Sequence, residues 1–133
     1  MEPTIKYARQ ELGAEKIAGA GYCFGAKYVC RFSKDKKLDV GYLAHPSFVS
    51  HEELGGITGP LTIAAAEIDQ IFTAQLRHES EDILNKAGQP WHISLHGGVS
   101  HGFAVRTDLS NKAFKVAKEQ AFVQALSWFN HYM

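Results

Sequence analysis

The chain has 133 residues, with 45% hydrophobic and 21% charged positions. That is enough for one ordinary domain with a proper core, and it excludes a disordered or membrane-embedded chain. Lys and Arg number 14, and so do Asp and Glu, so no net field draws the chain to nucleic acid or to a cationic partner.

In chain order, "TIKYARQEL" (4–12) places Ile5, Ala8 and Leu12 on one helical face, with Thr4 to cap it and Gly13 to end it. "KIAGAGY" (16–22) reads as a short buried strand running into a glycine turn. "FGAKYVCRF" (24–32) has helical spacing through Phe24, Tyr28 and Phe32. The lysines of the next loop, Lys34, Lys36 and Lys37, read as a solvated surface. "LDVGYLAH" (38–45) carries a single charge, as expected of a strand covered on both faces. Residues 46–59 are too irregular for a full crossover helix, although a short one fits Ser50–Leu54. "PLTIAAAE" (60–67) is a third strand with Pro60 at its mouth, where a missing N–H costs little. "TAQLRHESEDILNKAG" (73–88) is an amphipathic helix with Leu76, Ser80, Ile83, Leu84 and Ala87 on one face and Gly88 at its end. "PWHISLHG" (90–97) is a fourth strand. Residues 111–133 form the last and longest helix, with Phe114, Ala117, Ala121, Ala125 and Trp128 on one side.

The alternation predicts an α/β fold: a mainly parallel sheet of about four strands with flanking helices, in one domain over 1–133. No apolar run reaches the ~18 to 20 residues of a membrane span. The charged N-terminus lacks a signal-peptide core, and Cys23 and Cys30 make no disulfide framework. The expectation is a cytoplasmic protein with both thiols reduced and no membrane partner.

Three chemistries compete for "GAGYCFGAK" (19–27). A dinucleotide loop needs G-x-G-x-x-G, but Gly19, Gly21 and Gly25 leave one residue too many in the last gap, even though Asp39 lies at a suitable distance. A P-loop needs G-K-S or G-K-T, and "GAK" is neither. A nucleophile elbow needs Gly-x-nucleophile-x-Gly at a strand-to-helix junction, and Gly21-Tyr22-Cys23-Phe24-Gly25 has that form with cysteine as nucleophile. The glycines lack Cβ atoms, so neighbouring chain can pass close to the turn. The following helix N-terminus favours thiolate over thiol. The competing reading is a buried, inert cysteine.

A thiol nucleophile needs a base, and the base needs an acid to orient it. On such a fold the chain order is nucleophile, acid, histidine. Asp69 follows the third strand directly, whereas its rival Glu67 falls inside the strand end. His101, in "GGVSHGFAVR", sits before the last helix. His92 and His96 share a strand face and with His101 could suggest a metal cluster, but no carboxylate or thiolate lies at a matching offset, so no metal is expected. His45, in "AHPSF", ends a strand on the functional side of the sheet and is a pocket-lining candidate. His51, His78 and His131 read as surface residues.

At these residues the sequence resembles the dienelactone hydrolase (carboxymethylenebutenolidase) family of α/β-hydrolases. The carriers are "GYCFGAK" around Cys23, "AAAEIDQIF" around Asp69 and "VSHGFAVR" around His101, supported by "HPSF" and the aromatic-rich final helix. The resemblance runs over nearly the whole chain and implies a Cys-His-Asp triad, without a cofactor, that opens enol-lactones or related small esters through a thioester acyl-enzyme. Cys23 would attack the carbonyl carbon, His101 would shuttle the proton, and Asp69 would hold the imidazole tautomer. The Phe24 N–H would supply one oxyanion donor, and Tyr22, His45, Phe103 and Arg106 would line the substrate site.

Family members that open muconate lactones place an arginine four residues after the histidine; Arg106 is five after His101, which leaves the dienelactone substrate open. The family domain is about twice this length, so the chain resembles its C-terminal half. The strand before Cys23 would then be an exposed sheet edge, expected to pair with another copy or a further segment. Two functions stay open: a cysteine hydrolase, and a non-catalytic module that acts through assembly or binding.

Overall fold

A computed structural model describes residues 2–133. Its elements run α1 (Glu2–Gln10), β1 (Ala18–Tyr22), α2 (Gly25–Lys34), β2 (Val40–Ala44), α3 (His51–Gly55), β3 (Leu61–Ile68), α4 (Ala74–Ala87), β4 (Trp91–Ser100) and α5 (Lys112–Tyr132). The strands lie in the order β1-β2-β3-β4, and every neighbouring pair is parallel. The sheet is therefore parallel throughout, as the alternation predicts, with β1 at one edge.

The two sheet faces bury different side chains because strand residues alternate. Leu43, Leu61 and Ile63 join Ala26, Val29 and Cys30 of α2, Leu54 of α3 and Leu84 of α4 in one core. On the other face, Tyr42, Ala44, Ala64 and Ala66 pack against Ala117, Ala121 and Ala125 of α5. Small residues on both surfaces let α5 approach the sheet closely. All five residues of β2 are buried, in line with its nearly uncharged sequence.

Several local expectations shift. α1 begins before Thr4, which lies inside the helix, and Leu12 falls beyond its end and is exposed. The buried face of α2 is Ala26, Val29, Cys30 and Ser33, with Phe32 partly buried beside it. Phe24 and Tyr28 instead pack edge to face on the outer side, with ring centroids 5.4 Å apart. β4 continues past Gly97 to Ser100, across an irregularity that pairs Ile68 with Ser100. That extension delivers His101 to the same end of the sheet as Cys23.

Three caps set the other boundaries. Ser50 and Glu53 form a reciprocal capping box on α3. Thr73 caps α4, and Gly88 ends it at φ 72°. Among the described residues, no helix is long and apolar enough to cross a membrane.

Candidate active site

The site is built where β1, β2, β3 and β4 end. β1 stops at Tyr22, and Cys23 turns the chain into α2 from a left-handed conformation, φ 52°. Gly21 makes the turn feasible: a Cβ there would lie 2.7 Å from Ala26 N and Cα and from Gly25 O. Gly25 has nothing within 4 Å of an added Cβ, so only the first glycine of the motif is required by close approach. The Cys23 N–H donates to Ala44 O at 3.1 Å, and the Ser47 N–H donates to Cys23 O at 3.0 Å. The backbone of Cys23 is thus tied on both sides to the end of β2.

Asp69 follows β3. Its Oδ1 accepts from the N–H groups of Ile71 and Phe72, both at 2.9 Å. Its Oδ2 lies 2.8 Å from His101 Nδ1, with the carboxylate side chain 1% exposed. His101 stands just past β4, where its N–H donates to Ile68 O at 3.3 Å. Its Nε2 lies 3.3 Å from Cys23 Sγ. Cys23, His101 and Asp69 therefore meet in one continuous line of contacts. Glu67 accepts from the Gly98 N–H at 2.7 Å and is not part of it.

The electrostatics follow from those contacts. Hydrogen bonds from the Ser47 hydroxyl, then from His101 and the Phe24 N–H, lower the Cys23 pKa against the upward push of burial. Burial pushes His101 down, but its hydrogen bonds to Cys23 and Asp69, and their charges, raise it overall. Both shifts favour a thiolate beside an imidazolium. The other thiol, Cys30, is pushed up to about 12 by burial inside α2's core face, which keeps it unreactive.

The remaining candidates separate. His45 is 1% exposed, with neither ring nitrogen hydrogen-bonded among the described residues. Desolvation and the charge of His101 push its pKa down to about 4, so the ring that packs 4.9 Å from His101 is neutral. Phe103 is 0% exposed and wedged against His45 and His96. It is a floor beneath the histidines. Tyr22 is partly exposed and lies edge-on to Tyr42. Arg106 is exposed; its guanidinium makes no hydrogen bond or ion pair among the described residues, and its charge is felt at His45. Phe24 and Phe48, both exposed, face each other at 6.4 Å as an apolar rim. His92 Nδ1 meets Thr62 Oγ1 at 3.1 Å, and His96 Nε2 meets Ser94 Oγ at 3.1 Å.

Sequence reasoning missed Ser47. Its Oγ lies 3.2 Å from Cys23 Sγ and 3.3 Å from His101 Nε2. The "HPSF" stretch was a signal of family likeness, but nothing local marked the serine as a neighbour of the thiol. A groove of about 950 Å³ lies elsewhere, between β4 and α5 along Ser94, Val123, Gln124 and Trp128. A cavity of about 270 Å³, lined by Pro46, Phe48, Leu54, Ile71, Phe72 and Leu76 among others, sits under the loops that carry Ser47 and Asp69.

Comparison with known proteins identifies the family and the fold. The model of the dienelactone hydrolase family matches residues 2–133. The chain is 50% identical over 133 residues to Hydrolase tropI of Talaromyces stipitatus, covering 100% of this chain and 52% of that protein. It is 46% identical over 130 residues to Hydrolase pyvD of Aspergillus violaceofuscus, covering 98% and 53%. The chain thus spans about half the length of the curated relatives it matches. In fold it is similar to a putative dienelactone hydrolase from Klebsiella pneumoniae, with a TM-score of 0.82 at 12% identity over 98% of this chain and 59% of that one.

Proposed function

The chain belongs to the dienelactone hydrolase family, and on that premise we propose that it hydrolyses small esters or enol-lactones with Cys23 as nucleophile. The observation that carries this reading is the unbroken run Cys23 Sγ–His101 Nε2–Asp69 Oδ2, at 3.3 and 2.8 Å. It joins a thiol, a base and an orienting acid from three separate strand ends.

In this mechanism His101 holds the proton of Cys23, and the thiolate attacks the acyl carbon. The carbonyl electron pair moves to oxygen, and the Phe24 N–H stabilises that oxyanion; one such donor is worth about 3 kcal/mol. Collapse breaks the acyl–oxygen bond, and His101 protonates the departing alcohol or enol oxygen. Water, deprotonated by His101, then attacks the thioester; the acid leaves and the proton returns to sulfur. Asp69 keeps Nδ1 protonated throughout, so that Nε2 faces the reaction. Tyr22 and the Phe24–Phe48 rim would flank the substrate. The unpaired Arg106 would attract a substrate anion, and free thiol chemistry suits a reducing, cytoplasmic setting.

A second reading has its own support. β1 is an unpaired sheet edge, and α5 exposes Phe122, Val123 and Leu126 at 59%, 61% and 46%. An apolar edge and helix face of this kind seek a partner, and assembly with another copy or a further stretch of the domain is the alternative role.

p-Nitrophenyl acetate separates the two. A hydrolase releases p-nitrophenol in a burst that matches its Cys23 content, and Cys23→Ala abolishes it. Equal turnover by wild type and Cys23→Ala would refute the catalytic reading and leave assembly.

A further inference from the structure

We propose that Ser47 is a positioning residue of the thiol chemistry: its hydroxyl, between Cys23 Sγ and His101 Nε2, keeps the thiolate–imidazolium pair assembled before substrate arrives. This rests on the reading of Cys23 as the nucleophile.

The geometry is a triangle. Ser47 Oγ is 3.2 Å from Cys23 Sγ and 3.3 Å from His101 Nε2, and those two atoms are 3.3 Å apart. A hydroxyl can donate and accept at once, whereas an imidazolium only donates and a thiolate only accepts. One arrangement satisfies all three: His101 Nε2–H donates to Ser47 Oγ, and the Ser47 O–H donates to the thiolate. Ser47 is 1% exposed, and these two contacts are the hydrogen bonds its hydroxyl makes among the described residues. Most side-chain hydrogen bonds in proteins go to backbone or water, whereas both contacts of this hydroxyl are to the thiol and the imidazole.

The loop that presents the hydroxyl is built at a cost. Besides Lys36, the non-glycine residues with positive φ are Cys23 (52°), His45 (36°) and Phe48 (58°), so the strained positions gather around Ser47. Strain of this kind persists only where surrounding contacts enforce it. Here the Ser47 N–H holds Cys23 O, and Phe48 O accepts from Lys27 Nζ at 2.8 Å. Lys27 in turn is pinned 2.9 Å from Glu53, the partner of Ser50 in the α3 capping box. A chain of contacts from α2 and α3 thus fixes the two turns on either side of the serine.

The charged and titratable groups around the triangle are Tyr22 on β1, Lys27 on α2, His45 on the same loop, Asp69 after β3, and His101 and Arg106 after β4. Among the described residues, Ser47 and His101 are the side chains that hydrogen-bond the sulfur. A donor to the thiolate raises its population but spends some of its reactivity, because nucleophilicity falls with thiol basicity. Attack discharges the sulfur, so this hydrogen bond is strongest before reaction.

That trade gives a signature that ordinary structural damage does not produce. The probe is 2,2′-dithiodipyridine, a neutral disulfide, with the rate of labelling of Cys23 followed against pH. Ser47→Ala should label about threefold to tenfold more slowly than wild type near pH 6, and about threefold or more faster near pH 10, so the two profiles cross. Ser47→Thr keeps the hydroxyl and should follow wild type, and it reads the proposal even where Ser47→Ala folds poorly by near-ultraviolet circular dichroism. Superimposable profiles for wild type and Ser47→Ala would overturn the role of Ser47 and leave the nucleophile reading intact, as would a Thr variant that behaves like Ala. A wild-type Cys23 that labels like an ordinary thiol would overturn the nucleophile reading itself.

Discussion

Asp69→Asn tests whether the acid acts through the tautomer of His101. The carboxylate has divided duties: Oδ1 accepts two backbone N–H groups, from Ile71 and Phe72, and Oδ2 accepts from His101 Nδ1. Asparagine has the same shape, so the packing of this 1% exposed side chain is retained. Its single oxygen can face only one of the two duties. Turning it to His101 would leave the two N–H groups against an NH2 and forfeit two hydrogen bonds, at about 1 kcal/mol or more each. The favoured arrangement keeps the oxygen on Ile71 and Phe72 and directs the NH2 at Nδ1. That forces Nδ1 to accept and moves the ring proton to Nε2, which then points a donor at Cys23 and cannot serve as a base. A wrong tautomer of this kind costs ~10⁴ in kcat, or ~5.5 kcal/mol of barrier. The assay is steady-state and single-turnover hydrolysis of p-nitrophenyl acetate, with thermal unfolding to check that the fold survives. A folded Asp69→Asn protein whose kcat/KM stays within about tenfold of wild type would refute the reasoning.

Two predictions concern the frame around the site. Gly21→Ala drives a Cβ to 2.7 Å from α2 backbone atoms that cannot yield, so it should cost at least about 1–3 kcal/mol and displace Cys23. Gly25→Ala meets open space and should leave stability nearly unchanged; equal urea midpoints for the two variants would contradict this account of the elbow. Glu53 supplies a pH dependence. Burial pushes its carboxyl up, but hydrogen bonds from the Ser50 N–H, Lys27 and Arg31 outweigh that and hold the pKa at about 2, below the ordinary 4.5. Because the folded pKa is the lower one, its stabilisation is complete above about 4.5 and is lost as pH falls toward 2. Glu53→Gln should therefore melt several degrees below wild type at neutral pH, from a loss of about 2 kcal/mol, with the gap closing in acid. A gap that stays constant from neutral pH down to the acid limit would count against the network.

The chain's punctuation was legible because it is local. Gly88, Thr73 and the Ser50–Leu54 segment fell where short-range backbone preferences put them. The nearly uncharged β2 announced burial on both faces. What failed depended on partners distant in sequence. Helical spacing picked out Phe24, Tyr28 and Phe32, yet the side of α2 that meets the sheet is Ala26, Val29, Cys30 and Ser33, and spacing alone does not say where the sheet lies. Gly97 and Gly98 look like a strand terminus, but pairing of Ser100 with Ile68 carries β4 beyond them. The burial of Phe103 against His45 likewise follows from contacts between separate loops.

The sequence by itself determined the glycine turn around Cys23, the chain order of Cys23, Asp69 and His101, and the placement of Asp69 and His101 after successive strands. Each of those depends on residue type and strand-end position, which the chain encodes locally. Only the tertiary structure decided that the three side chains touch and that a fourth joins them. Ser47 is 24 residues from Cys23 and 54 from His101. Its contact with both arises because parallel pairing stacks the ends of β1, β2, β3 and β4 on one side of the sheet, and no spacing along the chain records that distance.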